Sequence, residues 1–207
     1  MNKIKLLFVF LLILPLSSCL SISQTMFLGI FPFNVKEYEE CIDFTFDKIE
    51  SKTMLKLIGD NAYSFERKKD IKSLIKKCNQ IVLSIGIFDL LKGVYFENGE
   101  QHYKYLPSLL ELFELNVYHI ISSIFEYNKK ISIIVLSLYN PYVFNDNLFY
   151  ENISLSIEGY NEVLKCVSEE FNLSYLDINE FCLLDEFNTF SIESKNKTME
   201  LIKGYAK

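Results

Sequence analysis

The residues with the clearest chemical potential follow the most apolar segment of the chain. Residues 80–85 are almost continuously apolar and largely β-branched, which is typical of a strand covered on both faces of a parallel sheet. Gly86 then ends the strand, and Asp89 is placed to cap a short helical turn. Ligands of open α/β sheets sit at the loops after the carboxyl ends of the strands. We therefore expect any chemistry to lie around residues 86–89.

The surrounding pattern predicts five strands that alternate with five helices. The strands are expected at residues 25–29, 54–58, 80–84, 131–138 and 174–178, and the helices at 35–51, 66–78, 106–128, 155–171 and 193–205. This alternation predicts a three-layer α/β/α domain with a five-stranded parallel, flavodoxin-like sheet over residues 25–207. The expected ligand cleft lies over Gly29, Gly59, Gly86 and Tyr139. Polar and aromatic loops are expected at 93–105 and 143–153.

The first 24 residues have the features of an export signal. Lys3 and Lys5 precede an apolar run at residues 6–16, which is shorter than the roughly 20 residues that cross a bilayer. The run ends in Leu16-Ser17-Ser18-Cys19, which resembles the lipobox of bacterial lipoproteins. That resemblance implies a cleaved signal peptide at 1–18, lipidation of Cys19 and a tether at 19–24. An ordinary signal peptide and an uncleaved anchor are the alternatives.

Lipidation would hold the domain at the extracytoplasmic face of a bacterial cell membrane, through a lipid anchor at Cys19. Removing residues 1–18 takes two lysines and no acids from a formal charge of −6, which leaves −8. Because no basic stripe stands out, nucleic acid is not an expected partner. The other four cysteines form no C-x-x-C pair, so zinc is not expected. They are Cys41, Cys78, Cys166 and Cys182, and we expect buried single thiols on helices, although a disulfide is permitted outside the cytoplasm.

Three segments in order resemble the SGNH (GDSL-type) hydrolase family, particularly its bacterial lipoprotein branch. Residues 84–91 (Ser-Ile-Gly-Ile-Phe-Asp-Leu-Leu) resemble the third block of that family, Gly-x-Asn-Asp followed by apolar residues. Residues 133–142 resemble the strand and Tyr-Asn-Pro segment of the lipoprotein branch, and residues 161–164 and 175–178 fit its penultimate helix and last strand. The resemblance implies the SGNH fold and an esterase or lipase mechanism. That mechanism uses a serine after the first strand, oxyanion donors and a late Asp-x-x-His.

Most reactive positions of the family are replaced in this chain. Phe31 stands where the family has its serine, and Phe88 stands where it has the oxyanion asparagine. Asn188 and Ser191 replace the late aspartate and histidine, while Gly59 is aligned with the second-block glycine. The degenerate motif positions are therefore Phe31, Gly59, Gly86, Phe88, Asn188 and Ser191. Losing the nucleophile, the base and an oxyanion donor leaves no triad mechanism.

We therefore expect a catalytically inactive, lipid-anchored protein that acts by binding a glycan, a lipid or a partner protein, without a cofactor. The aromatic loops at 94–105 and 139–150 are the candidate contact surface. One alternative is an active serine esterase, lipase or deacetylase with non-standard residues. It would use Ser84, Ser137 or Ser191 with His102 or Asp89 as the base. A further alternative is an unrelated flavodoxin-like binding domain, but residues 29–33 are too bulky for a phosphate loop.

Overall fold

The protein is built around a five-stranded, fully parallel sheet. The computed structural model describes residues 24–38, 41–59, 63–64, 69–140, 147–181 and 190–205. The sheet contains β1 (Thr25–Gly29), β2 (Cys41–Thr45), β5 (Gln80–Ser84), β8 (Ser132–Leu136) and β9 (Ser174–Leu176), in the order β2-β1-β5-β8-β9. All four neighbouring pairs are parallel. The predicted α/β class and five-stranded parallel sheet are confirmed.

Two short antiparallel pairs and six helices complete the described chain. The pairs join β3 (Tyr63–Ser64) with β4 (Lys69–Asp70) and β6 (Val94–Glu97) with β7 (Glu100–Tyr103). The helices are α1 (Ser51–Gly59), α2 (Ile71–Lys77), α3 (Ile87–Leu90), α4 (Pro107–Tyr127), α5 (Leu148–Glu170) and α6 (Ile192–Tyr205). Single 3-10 turns occur at Val35–Glu37, Leu91–Gly93 and Ile178–Phe181. None of the helices in the described ranges is both long and apolar enough to cross a membrane.

Strict alternation along the central strands divides the core into two layers. Ile81 and Leu83 of β5 face the larger layer, which also contains buried residues of α1, α2, α4 and α5. Val82 faces the smaller layer, which contains Met199 and Ile202 of α6. Because successive strand residues point to opposite faces, one five-residue strand supplies both cores. The sheet is therefore covered on both sides, as its continuous apolar sequence predicts.

The sequence prediction is wrong between residues 35 and 59, where it exchanges a strand and a helix. The predicted helix at 35–51 is a 3-10 turn followed by β2, which pairs with β1. The predicted strand at 54–58 lies within α1, whose buried residues are Ser51, Met54 and Ile58. These positions are three and four residues apart, which places them on one helical face. Consequently the second strand of the sheet is Cys41–Thr45.

Two other boundaries differ for identifiable local reasons. Helix α5 begins seven residues before the predicted start, because the Asn147 side chain accepts a hydrogen bond from the Phe149 backbone N–H at 2.9 Å and caps it. The predicted loop at 93–105 contains a β-hairpin whose turn is Asn98-Gly99, with φ of 53° and 82°. An Asn-Gly turn with both φ values positive matches the twist of a hairpin.

The described cysteines differ in burial and position from the expected helical thiols. Cys78 is buried beside the end of α2, and its burial raises the pKa of its thiol to about 11. Cys41 is half-buried in β2, and Cys166 is exposed on α5. All three are free thiols, and Cys182 lies outside the described residues. The expectation of uniformly buried helical thiols is therefore wrong for Cys41 and Cys166.

Candidate functional site

The carboxyl ends of β1 and β5 are joined by close backbone contacts. Gly29 has φ of 127°, and a Cβ atom there would lie 1.8 Å from the Ser84 carbonyl oxygen. The Ile30 backbone N–H donates to that carbonyl at 2.9 Å, and the Ser84 hydroxyl donates to the Ile30 carbonyl at 2.5 Å. Only glycine allows so close an approach of two backbones with this φ. The two strand ends are thus held in a fixed geometry.

A cavity of about 350 Å³ opens over these strand ends. Its walls come from the turns after β1, β5 and β8, from α5 and from Ile178 and Phe190, and the described residues that line it include no charged side chain. The polar groups among them are the hydroxyls of Ser84, Ser137 and Tyr139. The lining residues are Ile30, Phe31, Pro32, Ser84, Ile85, Ile87, Leu91, Ser137, Leu138, Tyr139, Ile153, Ile178 and Phe190. The predicted cleft therefore exists, and its walls are predominantly apolar.

Phe31, which the resemblance aligns with the family's serine nucleophile, lines this cavity. Its half-buried ring lies 5.3 Å from the ring of Phe27 and 5.7 Å from that of Phe33, measured between centroids. Phe33 packs in turn on Phe190, whose ring makes an edge contact with Tyr139 at 5.3 Å. Phe31, Tyr139 and Phe190 of this aromatic chain line the cavity. Ring contacts of this kind fix a side chain in place, so Phe31 supplies shape and apolar surface.

Phe88 and Asp89 of α3 do not line the cavity, although their neighbour Ile87 does. Phe88 is half-buried, while Asp89 is 5% exposed. The Asp89 carboxylate accepts hydrogen bonds from the Ser51 backbone N–H at 2.8 Å and from the Ser51 hydroxyl at 2.7 Å. The Asn116 amide donates to the same hydroxyl at 2.9 Å. Asp89 therefore holds the beginning of α1 against α3 and α4.

Burial raises the pKa of the Asp89 carboxyl, and the two hydrogen bonds from Ser51 partly oppose that rise. A carboxyl with a raised pKa in a cleft is a candidate general base. Here both carboxylate oxygens are occupied by Ser51, and the carboxylate is directed at the first residue of α1. A negative group at a helix N-terminus is stabilising. The geometry accounts for Asp89 as a structural cap.

The Ser137 hydroxyl lines the cavity but is surrounded by partners. It donates to the Asp177 carboxylate at 3.0 Å and accepts from the Ile178 backbone N–H at 3.0 Å and from the Asn179 amide at 3.1 Å. The Asn179 amide also donates to the Leu138 carbonyl at 2.9 Å. A hydroxyl with three such bonds and 1% exposure joins the ends of β8 and β9. It is a structural group in this arrangement.

Neither histidine of the chain lines the apolar cavity. His102 lies in β7, where its ring stacks on Tyr95 with centroids 5.4 Å apart. His119 is exposed on α4, beside Tyr118. A serine nucleophile requires a base within hydrogen-bond reach. The sequence contains two histidines in all, so no imidazole is available to the Ser84 or Ser137 hydroxyl.

Two of the other predicted site residues lie elsewhere. Gly59 ends α1 at the opposite edge of the sheet from the cavity, so its assignment as the second-block glycine is wrong. The prediction treats residues 54–58 as a strand that ends at the cavity, but they belong to α1. Helix α1 runs from the cavity edge towards the amino ends of the strands, so its last residue, Gly59, lies far from the cavity. Ser191 accepts a hydrogen bond from the Ser194 backbone N–H at 3.1 Å at the start of α6. Asn188 and Cys19 lie outside the described residues.

The predicted aromatic contact surface is partly described. On the β6–β7 hairpin, Phe96 is 72% exposed and Tyr95 is 44% exposed, and on α5 Leu148 is 69% exposed. A shallow groove lies between this hairpin and the start of α5. Residues 141–146 of the second loop lie outside the described residues. No group of three His, Cys, Asp or Glu side chains suited to a metal ion occurs in the portions of the chain that the structure describes.

These features define the fold of the SGNH (GDSL-type) hydrolases. One solved structure with this fold is a GDSL-like lipase from Bacteroides thetaiotaomicron, with a TM-score of 0.58, 14% sequence identity, and coverage of 89% of this chain and 87% of that one. Another is a catalytic mutant of Axe2, an acetylxylan esterase from Geobacillus stearothermophilus, with a TM-score of 0.57, 11% identity and coverage of 89% and 94%. No protein-family profile and no curated protein matches the sequence.

Sequence reasoning missed the polar residues that support the cavity. Ser51 and Asn116 bind Asp89 or one another, and Asn161 bonds both the N–H and the carbonyl of Leu138, at 2.6 and 3.1 Å. Asn116 is separated from Ser51 by 65 residues. The one available signal was an asparagine on the apolar face of a predicted helix, because a buried amide needs partners.

Proposed function

We propose that this chain is a lipid-anchored, extracytoplasmic lipoprotein whose SGNH-type domain binds an apolar ligand and does not catalyse ester hydrolysis. The single observation that supports this proposal best is Phe31 in the wall of an apolar cavity at the position of the family's nucleophile. The lipobox-like segment ending at Cys19 supports the anchoring.

The absence of catalysis is supported by the chemistry of the two serines in the cavity wall. The Ser84 hydroxyl is engaged by the Ile30 carbonyl, and the Ser137 hydroxyl is engaged by Asp177, Ile178 and Asn179. Neither has an imidazole beside it, and removing the base of a serine triad alone costs on the order of 10⁴ in rate. Neither serine therefore has the imidazole that activates the nucleophile of an acyl-enzyme mechanism, and the acceptor beside Ser137 is the Asp177 carboxylate.

The cavity itself favours an aliphatic group over a sugar. Its volume of about 350 Å³ lies at the lower end of the range of small-molecule sites, roughly 300–1,000 Å³. A methylene group is close in size to a water molecule, about 30 Å³, so the cavity has room for about ten carbon atoms. The described residues of its walls carry three hydroxyls and no charged group. A glycan would leave many polar groups without partners in such a site.

Binding is tested with a fluorescent fatty acid that is displaced by dodecanoate or by a xylo-oligosaccharide. We expect dodecanoate to compete and the sugar to have no effect. Replacing the cavity-lining Ile87 by Trp should fill the site and weaken binding at least tenfold, while the control Ile192→Trp, at a residue 74% exposed, should bind as the parent does. Equal binding by both variants would contradict the cavity as the binding site.

Catalysis and anchoring are tested separately. Incubation with p-nitrophenyl acetate and a fluorophosphonate probe should give no turnover above buffer and no labelled serine. Labelling of Ser84, Ser137 or Ser191 would instead support the alternative of an active esterase with non-standard residues. Mass spectrometry of the protein from the membrane fraction should show residues 1–18 removed and Cys19 acylated. An unmodified Cys19 would contradict the anchor without affecting the binding proposal.

A further inference from the structure

The first described residue leaves the sheet at the edge opposite the cavity, and that edge is rich in exposed lysines. The Gln24 carbonyl accepts a hydrogen bond from the Asn79 backbone N–H at 3.1 Å, and the Asn79 carbonyl accepts one from the Ser132 backbone N–H at 2.9 Å. The amino ends of β1, β5 and β8 therefore lie side by side where the chain enters from residue 24. The cavity lies at the carboxyl ends of these strands.

Two pairs of lysines lie at this edge. Lys76 and Lys77 are in the last turn of α2, and Lys129 and Lys130 are in the turn between α4 and β8; all four are exposed. The Asn128 amide joins the two pairs, because it donates to the Ile75 carbonyl at 3.1 Å and to the Cys78 carbonyl at 2.9 Å. We call these four residues the lysine edge.

The lysine edge has charge available for an external partner. None of its four ammonium groups pairs with a carboxylate among the residues that the structure describes. Among the described residues, the carboxylates at the same edge are Glu126, near the end of α4, and Glu169 and Glu170, at the end of α5. The last two precede β9, which lies next to β8 and so about 5 Å from the strand that Lys129 and Lys130 precede. They are two strands, about 10 Å, from β5, so the positive charge farthest from Glu169 and Glu170 is that of Lys76 and Lys77, in a chain whose net charge is −6.

From this placement we infer that the lysine edge docks on anionic phospholipid headgroups of the membrane that carries the anchor, so that the cavity opens away from that membrane. The inference rests on the proposed lipidation of Cys19. Cys19 lies five positions before Gln24, and an extended chain over that distance reaches at most about 17 Å. The anchor would thus hold the lysine edge within about two Debye lengths of the headgroups.

The physical advantage comes from how lipid anchors work. The lipid anchor holds one end of the chain at the membrane, and a basic patch adds a second attachment. Each lysine close to an anionic surface contributes about fivefold in partitioning, so four lysines opposed by the three described carboxylates of this edge favour the docked orientation by about fivefold. With the strand edge facing the bilayer, the ligand of the cavity would arrive from the side away from the membrane.

The orientation can be measured because the sequence contains no tryptophan. The full-length, lipidated protein is purified in two single-tryptophan forms and incorporated into vesicles that contain brominated phospholipids, which quench tryptophan fluorescence on contact. Ser132→Trp places the probe at an exposed position of the lysine edge, and Phe96→Trp places it on the hairpin at the cavity edge. The vesicles contain phosphatidylcholine alone or phosphatidylcholine mixed with phosphatidylglycerol.

We expect strong quenching at position 132 in the mixed vesicles, weaker quenching in phosphatidylcholine alone, and little at position 96 in either. Changing the four lysines of the edge to Gln should remove the difference between the two vesicle types. The control changes four other exposed lysines to Gln, namely Lys36, Lys48, Lys104 and Lys165, and should preserve it. Both quadruple variants lose the same charge, so net charge alone cannot explain a difference between them.

Four results would overturn the inference. Stronger quenching at position 96 than at 132 would place the cavity edge on the membrane. Equal quenching at 132 in both vesicle types, or equal effects of the two quadruple variants, would show that the lysine edge has no part in docking. An unmodified Cys19 by mass spectrometry, with no incorporation into either vesicle type, would instead show that the anchor itself is absent and would remove the inference with it.

Discussion

Substitution of the two serines in the cavity wall distinguishes a structural role of these hydroxyls from a catalytic one. Ser137→Ala removes a hydroxyl that donates to Asp177 and accepts from the Ile178 backbone N–H and from Asn179. Asp177 and Asn179 keep other hydrogen bonds, but Ile178 is 1% exposed and its N–H would lose its partner. An unsatisfied buried donor costs about 1–3 kcal/mol. We therefore expect Ser137→Ala to reduce the free energy of unfolding by about 2–3 kcal/mol.

Ser84→Ala provides a graded comparison in the same cavity. The Ser84 hydroxyl makes one hydrogen bond, to the Ile30 carbonyl at 2.5 Å, so its loss should cost about 1 kcal/mol. Ser108→Ala, at an exposed position of α4, is the control and should change stability by less than about 0.5 kcal/mol. For a chain of this length, 1 kcal/mol corresponds to about 2–4 °C in the midpoint of thermal unfolding.

The assay is urea unfolding followed by far-UV circular dichroism, with fluorophosphonate labelling of the same samples. The predicted order of destabilisation is Ser137→Ala, then Ser84→Ala, then Ser108→Ala, with no labelling in any protein. If Ser137→Ala were as stable as the parent and abolished a labelling that the parent shows, the hydroxyl would be a nucleophile. The structural account of the cavity would then be refuted.

Three further predictions concern neighbouring positions. Gly86→Ala should destabilise the fold by about 1–3 kcal/mol, because φ is 123° and the new Cβ would lie 2.8 Å from the Phe113 ring. The control Gly59→Ala, whose new Cβ has nothing within 4 Å, should leave the midpoint of thermal unfolding nearly unchanged. Because burial raises the pKa of the Asp89 carboxyl, the folded state binds a proton there more tightly than the unfolded chain does, so this group's contribution to stability falls as pH rises from about 4 towards neutrality. Urea unfolding of Asp89→Asn at several pH values should lack this part of the pH dependence of stability. An identical pH dependence in parent and variant would contradict the prediction. Phe31→Ser should leave p-nitrophenyl acetate hydrolysis at the buffer rate, because the cavity contains no imidazole; measurable turnover would show that an unrecognised base is present.

The orientation of the domain has a consequence for how its ligand arrives. If the lysine edge contacts the bilayer, the five-residue strands place the cavity about 17 Å further out, at a rise of roughly 3.3 Å per residue. An acyl ligand would then reach the site from a soluble carrier or another surface, not by lateral movement within the anchoring membrane. Transfer of a fluorescent fatty acid from separate donor vesicles, compared with uptake from the anchoring vesicles, would measure this.

The local sequence was sufficient to predict the two strands whose residues are almost continuously apolar. β5 and β8 were predicted correctly because a continuous β-branched run suits a strand buried on both faces and exposes no polar face for a surface helix. The sharp turns at Gly29 and Gly86 were also readable, and both have a positive φ that glycine adopts without strain. The placement of Phe31 in the cavity wall followed from its position after the first strand.

Tertiary structure decided what neither propensity nor motif order could. Residues 35–59 contain apolar spacings compatible with either element, and only pairing of Cys41–Thr45 with β1 settles which segment is the strand. Gly59 was predicted to follow a strand as a result, whereas it is the last residue of α1. The Ser51–Asp89–Asn116 and Ser137–Asp177–Asn179 contacts join residues up to 65 positions apart. A polar residue on the apolar face of a helix can be recognised in the sequence, but its hydrogen-bond partners cannot, because they come together only after the helices have packed on the sheet.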